Sequence, residues 1–122
     1  MASRASTHPV VLSTTSLSND SVVNRDGKDL GKIKDIMIDV EHGRVAYAVL
    51  SFGGFMGMGD KLFAIPWSSL ELDTNRERFL LDVSKEQLER ARGFDKDDWP
   101  NFADPTFRSE TYETFNQKPY WS

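Results

Sequence analysis

The residue types that most often carry catalysis or bind metals are few in this sequence, and they are scattered. The chain has no cysteine and two histidines, His8 and His42. The lack of cysteine excludes disulfides, thiolate metal sites and thiol nucleophiles. Neither histidine has a serine nucleophile and an orienting acid near it in the sequence, which a hydrolytic triad would need. We interpret both histidines as exposed polar residues, one in a tail and one in a turn.

Acidic residues form two patterns that could suggest metal binding. Asp35 and Asp39 are four positions apart on a predicted strand, which separates them by more than about 12 Å. The cluster Asp-Lys-Asp-Asp at 95–98 lacks the glycine and the terminal glutamate of a calcium loop. We therefore expect no catalytic residue, no metal and no cofactor, and we expect the cluster to cap a helix or to face solvent.

A glycine-rich segment at 53–60, Gly-Gly-Phe-Met-Gly-Met-Gly-Asp, invites comparison with phosphate-binding loops. The lysine that follows it precedes leucine, whereas a P-loop needs serine or threonine there. A dinucleotide loop opens a helix, whereas this segment precedes a predicted strand. Phe55, Met56 and Met58 are apolar, and methionine-rich surfaces suit adaptable protein contacts. A contact role for the loop and simple packing onto the domain are both open.

Length and charge narrow the class of protein. The 122 residues suffice for one domain, and the net charge of −4 argues against a nucleic-acid partner. The longest apolar run, at 45–50, has six residues, against about 20 for a membrane helix. We expect a cytoplasmic protein without membrane insertion.

The elements that must position any site are mostly short strands. Runs of β-favouring residues at 22–25, 32–40, 45–52, 62–65, 70–72 and 78–83 alternate with turn signals. Within 32–40 the apolar phase shifts, which predicts a bulge near Lys34 and Asp35. This pattern predicts a mainly β fold, a small barrel or sandwich of five to six strands.

One or two short helices are expected at the C-terminal side. Ser84 and Gln87 have the spacing of a capping box, and Gly93 is the expected end of that helix. Asp104-Pro105 predicts the start of a second helix, reaching about Phe115. The segment 94–122 holds eight of the 14 aromatic residues (3 Trp, 3 Tyr and 8 Phe in all). We therefore divide the chain into a flexible segment at 1–15, a barrel at 16–93 and an aromatic-rich extension at 94–122 that packs on the barrel or on a partner subunit.

The run at 45–52 is apolar on both predicted faces, with Val45, Tyr47 and Val49 on one and Ala46, Ala48, Leu50 and Phe52 on the other. A small barrel has one interior, so the outer face must be covered by the extension, by another strand layer or by a second copy of the chain. Two-fold self-association is a common solution, and we expect a homodimer. The candidate contact residues are Tyr47, Phe52, Phe55, Met56, Met58, Trp67, Trp99, Tyr120 and Trp121.

Several spaced motifs resemble one family. Asn-Arg-Asp-Gly-Lys-Asp-Leu-Gly-Lys-Ile-Lys-Asp-Ile-Met-Ile-Asp at 24–39, the glycine-rich run at 43–59 and Ala-Ile-Pro-Trp at 64–67 resemble a PRC-barrel domain over about residues 16–90. The ending Lys-Pro-Tyr-Trp at 118–121 resembles the close of small stand-alone bacterial members. The family includes the cytoplasmic domain of the photosynthetic reaction centre H subunit, and a related barrel forms half of a ribosome-maturation factor. The resemblance implies a small β-barrel used for protein contact, with no shared catalytic residues.

Two classes of function follow. The first is a non-enzymatic interaction module, a homodimeric adaptor or assembly factor with an unknown protein partner. The alternative is a barrel that binds a small ligand at its mouth near the glycine-rich loop, or an accessory protein of a photosynthetic complex or of ribosome or RNA processing.

Overall fold

The computed structural model of the chain describes residues 11–53, 60–73, 76–91 and 93–121. Its elements in chain order are α1 (Thr14–Leu17), β1 (Ser21–Val23), β2 (Asp29–Asp39), β3 (Arg44–Gly53), β4 (Asp60–Pro66), a 3₁₀ turn (Trp67–Ser69), β5 (Leu70–Asp73), β6 (Arg78–Leu81), α2 (Lys85–Arg90) and α3 (Pro105–Thr114). The mainly β fold predicted from the sequence is confirmed. Helix α1 has no counterpart in the sequence-based prediction.

The described strands form one curled half-barrel sheet in the order β4-β3-β2-β1-β6-β5. Neighbouring strands are antiparallel except β1 and β6, which run parallel. The predicted bulge is present, because the β2–β3 register shifts between Ile33 and Asp35. Such bulges bend strands and increase their twist, which lets a sheet this small curl around its core. Strands β4 and β5 form the two edges of the sheet.

A second register shift changes which side chains of β3 share a face. Met37 pairs with Tyr47, but the next pair is Ile38 with Val45, so Ala46 has no partner residue in β2. As a result Val45 packs against the inner core, while Ala46 groups with Tyr47 on the other side. The strict alternation predicted for this strand is wrong at these two positions.

The main core lies on the inner face of the curled sheet. It joins residues of all strands except β5 to one residue each of α1 and α2, and Leu70 and Leu72 of β5 pack against it half-buried. The largest of its fully buried side chains are Leu30, Ile33, Leu50, Ile65, Phe79, Leu81 and Leu88.

Helix α2 begins as the sequence predicts. The Ser84 hydroxyl accepts from the Gln87 backbone N–H at 3.0 Å, and Gln87 Oε1 accepts from the Ser84 N–H at 2.8 Å. The helix ends at Arg90 and not at Gly93. Gly93 has a different role, because a Cβ there would lie 2.5 Å from the carbonyl oxygen of Leu62. Glycine lets the chain pass directly against β4.

Candidate functional site

The C-terminal extension first touches the sheet at the outer edge of β4. Leu62 and Phe94 exchange two backbone hydrogen bonds, of 2.9 Å from the Leu62 N–H and 2.8 Å from the Phe94 N–H. The chain then leads to α3, whose start follows the predicted pattern: the Asp104 carboxylate accepts from the Thr106 N–H at 2.9 Å, and Pro105 is the first helical residue.

Helix α3 lies against the outer face of the sheet. Its residue Tyr112 is 1% exposed, and the Tyr112 hydroxyl donates a 3.0 Å hydrogen bond to the carbonyl oxygen of Ala46. That oxygen belongs to the bulged residue that lacks a partner in β2. Helix α3 therefore supplies, through Tyr112, a hydrogen-bond donor to the bulged residue of β3.

Aromatic side chains of the extension surround Tyr47 of β3. Its ring centre lies 5.5 Å from that of Phe102, 6.0 Å from Phe107 and 5.7 Å from Tyr112. Tyr47 is only 1% exposed. Of the three ways to cover the outer face of this strand, the structure shows the first: the extension covers it within one chain.

The Tyr47 hydroxyl is buried without a hydrogen bond among the described residues. Burial raises the pKa of Tyr47 well above its ordinary value, and the nearby Arg108 opposes that rise. This tyrosine therefore contributes through its ring.

A polar cluster fastens the end of the extension to the β2–β3 turn. We call it the Asp39 latch and define it as Asp39, His42, Arg108 and Tyr120. Asp39 Oδ2 accepts from the Tyr120 hydroxyl at 2.6 Å, and it lies 2.9 Å from His42 Nδ1 and 3.3 Å from Arg108 Nη2. The other oxygen, Oδ1, accepts from the backbone N–H groups of Glu41 and His42.

These contacts shift two pKa values in opposite directions. The hydrogen bond from Tyr120, followed by that from the His42 backbone, lowers the pKa of Asp39 to about 2. Burial, followed by the hydrogen bond to Asp39, raises the pKa of Tyr120 to about 12. The latch thus holds a carboxylate and a neutral phenol over the whole physiological range.

Cations and aromatic rings also contact one another in and around the latch. The Arg44 guanidinium lies 3.9 Å from the centre of the Tyr120 ring, and that of Arg108 lies 4.0 Å from the Trp121 ring. His42 meets the Tyr120 ring edge-on at 5.6 Å. His42 is an exposed turn residue, as expected from the sequence, and its ring also belongs to the latch. Asp39 accepts hydrogen bonds from five donors: the Tyr120 hydroxyl, His42 Nδ1, Arg108 Nη2 and the backbone N–H groups of Glu41 and His42. We therefore interpret the latch as a structural contact that holds the extension on the sheet.

The candidate contact residues of the sequence analysis lie in different environments. Tyr47 and Phe52 are buried, at 1% and 5% exposed, one under the extension and one in the main core, which corrects the expectation that they present surface to a partner. Trp67 is half-buried on Phe79, with ring centres 5.8 Å apart. Trp99 packs on Phe94, and Tyr120 and Trp121 belong to or cover the latch. The loop residues are outside the described part of the chain: Phe55, Met56 and Met58.

A groove of about 940 Å³, which we call the β4 groove, runs between β4, the segment 93–100 and α3. Five aromatic side chains line it: Phe63, Phe94, Trp99, Phe107 and Phe115. Four carboxylates also line it: Asp95, Asp98, Asp104 and Glu110. Sequence reasoning missed this site because its walls come together only when the extension folds back. The aromatic richness of 94–122 was the available signal.

The lysine beside the groove is already engaged. Lys61 Nζ donates to the carbonyl oxygens of Ala91, at 2.7 Å, and Glu89, at 3.3 Å, which lie at the C-terminal end of α2. A cation is favourable there because the last carbonyls of a helix carry partial negative charge. Among the described lining residues, the four carboxylates therefore have no free lysine beside them, and the groove favours a positively charged partner.

The edge of β4 along this groove is only partly paired. Leu62 bonds Phe94, so its N–H and C=O point away from β3. The β3–β4 register is unbroken from Asp60 to Pro66. Because backbone groups alternate along a strand, the N–H and C=O of Ala64 point the same way as those of Leu62. Within the described ranges, no segment bonds Ala64 on that side.

Comparison with known families supplies the class of protein. The PRC-barrel domain family matches residues 9–88, and the chain belongs to that family. The α3 helix and the latch tyrosine lie beyond the matched region. A search of curated proteins found no match to the chain. Among the described residues, no helix has the length and apolar character needed to cross a membrane, and no three acidic or histidine side chains gather where they could hold a metal ion.

Proposed function

We propose that this PRC-barrel protein is a non-catalytic interaction module that docks a protein segment in the β4 groove. The observation that carries the proposal is the combination of a 940 Å³ groove with an incompletely paired strand edge along it. Strand edges with unpaired backbone groups are templates for another chain. Aromatic walls supply the apolar contact that protein interfaces concentrate at their centres.

The chemistry of the groove supports binding over catalysis. Its described polar groups are carboxylates, threonine hydroxyls, the indole N–H of Trp99 and the engaged Lys61. The Thr114 hydroxyl donates to the carbonyl oxygen of Glu110 at 2.8 Å. A threonine nucleophile would need an adjacent general base to activate it. The hydrogen bond of Thr114 goes to a backbone carbonyl, and among the described residues no threonine hydroxyl of the groove bonds a carboxylate or the imidazole of His42.

The small-ligand alternative receives less support. That hypothesis placed a ligand at the mouth of the barrel, but the inner face of the described sheet is filled by the main core, with Ile33, Leu50 and Ile65 fully buried.

Homodimerisation stays a prediction, but its original reason no longer applies. The outer face of β3 was expected to need a second copy, whereas the extension of the same chain buries Tyr47. A dimer would therefore form through another surface, for instance through the glycine-rich loop. Sedimentation equilibrium at micromolar concentration separates a mass near 13.9 kDa from twice that mass.

The proposal is tested by filling the groove. Thr106 and Ser109 are both exposed on α3, but only Thr106 lines the groove. Thr106→Trp therefore obstructs the groove, and Ser109→Trp adds the same side chain beside it. Quantitative affinity capture from native lysate is run with the unchanged protein and both variants.

The proposal predicts at least one protein that the unchanged chain and Ser109→Trp capture and that Thr106→Trp does not. Equal capture by all three would contradict it. The identity of the captured protein would show whether the module serves a photosynthetic complex, ribosome maturation or another process. The family resemblance by itself is compatible with each of these.

A further inference from the structure

We infer that the β4 groove takes an extended protein segment bearing alternate lysine or arginine side chains, added as a strand to β4 at Ala64. The inference rests on the proposed function, since it specifies what kind of segment the groove holds. It is carried by two independent features, the backbone of the β4 edge and the charge of the groove walls.

The backbone feature sets where the segment pairs. On the outer edge of β4, Leu62 is taken by Phe94, and Pro66 has no N–H to donate. By the alternation of the strand, the N–H and C=O of Ala64, between them, point toward the groove that this residue lines, and no described residue bonds them. Ala64 is 7% exposed, so the groove is the route by which a segment reaches it. A segment that lies along this edge can exchange one complete pair of backbone hydrogen bonds with Ala64. Its register is thereby fixed to a single position.

The side chains of such a segment alternate between the two faces of the sheet. Residues directed to the inner side meet Phe63 and Phe115, both of which line the groove and contact the main core. Residues directed to the outer side meet the extension, where Asp95, Asp98 and Glu110 are exposed. The structure therefore favours apolar residues alternating with basic ones.

The charge of the groove walls disfavours an acidic segment. The only described lysine in the lining, Lys61, already donates to the end of α2. An acidic segment would thus meet carboxylates without a compensating cation among the described lining residues. Charge pairs at such a rim are screened by salt, so binding of a basic segment should weaken as ionic strength rises.

The test uses the full chain and synthetic peptides of about eight residues, long enough for one residue to pair with Ala64 while the rest of the peptide follows the groove. The main probe alternates lysine and valine, with both ends blocked. A second peptide alternates glutamate and valine. Two further lysine–valine peptides are N-methylated, one at every valine and the other at every lysine. Because the N–H groups of successive strand residues point to opposite edges, only one of these two peptides loses the amides that face β4. Binding is measured by isothermal titration calorimetry at low salt.

The inference predicts that the lysine–valine peptide binds at least about tenfold more tightly than the glutamate–valine peptide. It predicts that one N-methylated peptide loses at least about tenfold in affinity while the other does not. Ala64→Pro removes the outward N–H, and proline is tolerated at strand edges, so this variant should weaken binding to a similar extent. Ala64→Ser keeps the N–H and should bind as the unchanged protein does.

The outcomes separate this inference from the proposed function. If the lysine–valine peptide binds but both N-methylated peptides and Ala64→Pro bind equally well, strand addition is wrong and groove binding stands. If no peptide binds while Thr106→Trp still abolishes capture from lysate, the inferred segment chemistry is wrong and the proposed function stands. If neither peptide binding nor groove-dependent capture occurs, both fail. Should Ala64→Pro not fold, the N-methylated peptides decide alone.

Discussion

The Tyr120 hydroxyl lies 2.6 Å from Asp39 Oδ2, although the two residues are 81 positions apart in the chain. This hydrogen bond joins the end of the extension to the end of β2. At its start, the extension is bonded to Leu62 of β4 through Phe94, and further along the chain the Tyr112 hydroxyl bonds the carbonyl oxygen of Ala46 in β3. The extension is thus integrated with the sheet along its length, and through the segment 94–100 and α3 it supplies most of the lining of the β4 groove.

The latch gives stability a specific pH dependence. The folded pKa of Asp39, about 2, lies below the ordinary value of 3.8. Its carboxylate therefore stabilises the fold fully above pH 4, and this contribution is lost as the pH falls from about 4 to about 2. Asp39→Asn should be less stable than the unchanged protein at pH 6. The difference in the free energy of unfolding between the two proteins, measured by urea unfolding, should shrink as the pH approaches 2.

Asp97→Asn is the matched control for that measurement, because Asp97 is exposed and its carboxylate bonds only Lys96 among the described residues. Its unfolding should follow the unchanged protein across the same pH range. A constant deficit of Asp39→Asn from pH 6 to pH 2 would mean that the latch carboxylate is not the titrating group.

The two buried tyrosines of the outer face should respond differently to loss of their hydroxyls. Tyr112→Phe removes the donor to the Ala46 carbonyl and should cost about 1–3 kcal/mol, since a buried acceptor is left unpaired. Tyr47→Phe removes a hydroxyl without a hydrogen-bond partner among the described residues and should leave stability unchanged or raised. Chemical denaturation of both variants checks this, and equal losses would contradict the assignment of their roles.

The capping box should contribute measurably to α2. Ser84→Ala leaves the Gln87 N–H without its acceptor, and such a change typically costs about 0.5–2 kcal/mol. The comparison variant is Ser109→Ala, at an exposed position inside α3, which should not destabilise. An unchanged denaturation midpoint for Ser84→Ala, with the same slope, would count against this cap as a stabilising contact.

Deleting residues 94–122 should expose the outer face of the sheet. Tyr47 would lose its aromatic neighbours, and Ala46 and Ala64 would lose the cover of the extension. Burial of a large apolar side chain stabilises by about 1.5–3 kcal/mol, so the truncated protein should be less stable and less soluble. A truncated chain as stable and soluble as the full one would show that the extension is a separate recognition segment.

The sequence was sufficient where local chemistry decides the structure. The Ser84 capping box, the Asp104-Pro105 helix start and the bulge beside Asp35 each depend on residues close in the chain. Strand positions followed from apolar runs between turn residues, with ends displaced by a few residues, as at β2, which begins at Asp29.

Long-range pairing explains what the sequence did not reveal. From the sequence, Asp39 suggests a comparison with metal ligands and nothing about a latch, because its partners Arg108 and Tyr120 are far away in the chain. The bulge at Ala46 depends on the register with β2, which alternation within β3 alone does not specify. The β4 groove likewise arises from the path of the extension across the sheet.

Amide hydrogen exchange of the free protein, followed by two-dimensional NMR, tests most directly whether the β4 edge is open. Leu62 and Phe94 are bonded to each other, so their amides should be protected. The Ala64 amide, two residues along β4, should exchange at least about tenfold faster, and addition of the lysine–valine peptide should slow it. An Ala64 amide as protected as that of Leu62 in the free protein would show that the edge is already occupied, which would contradict the β4 groove as a docking surface.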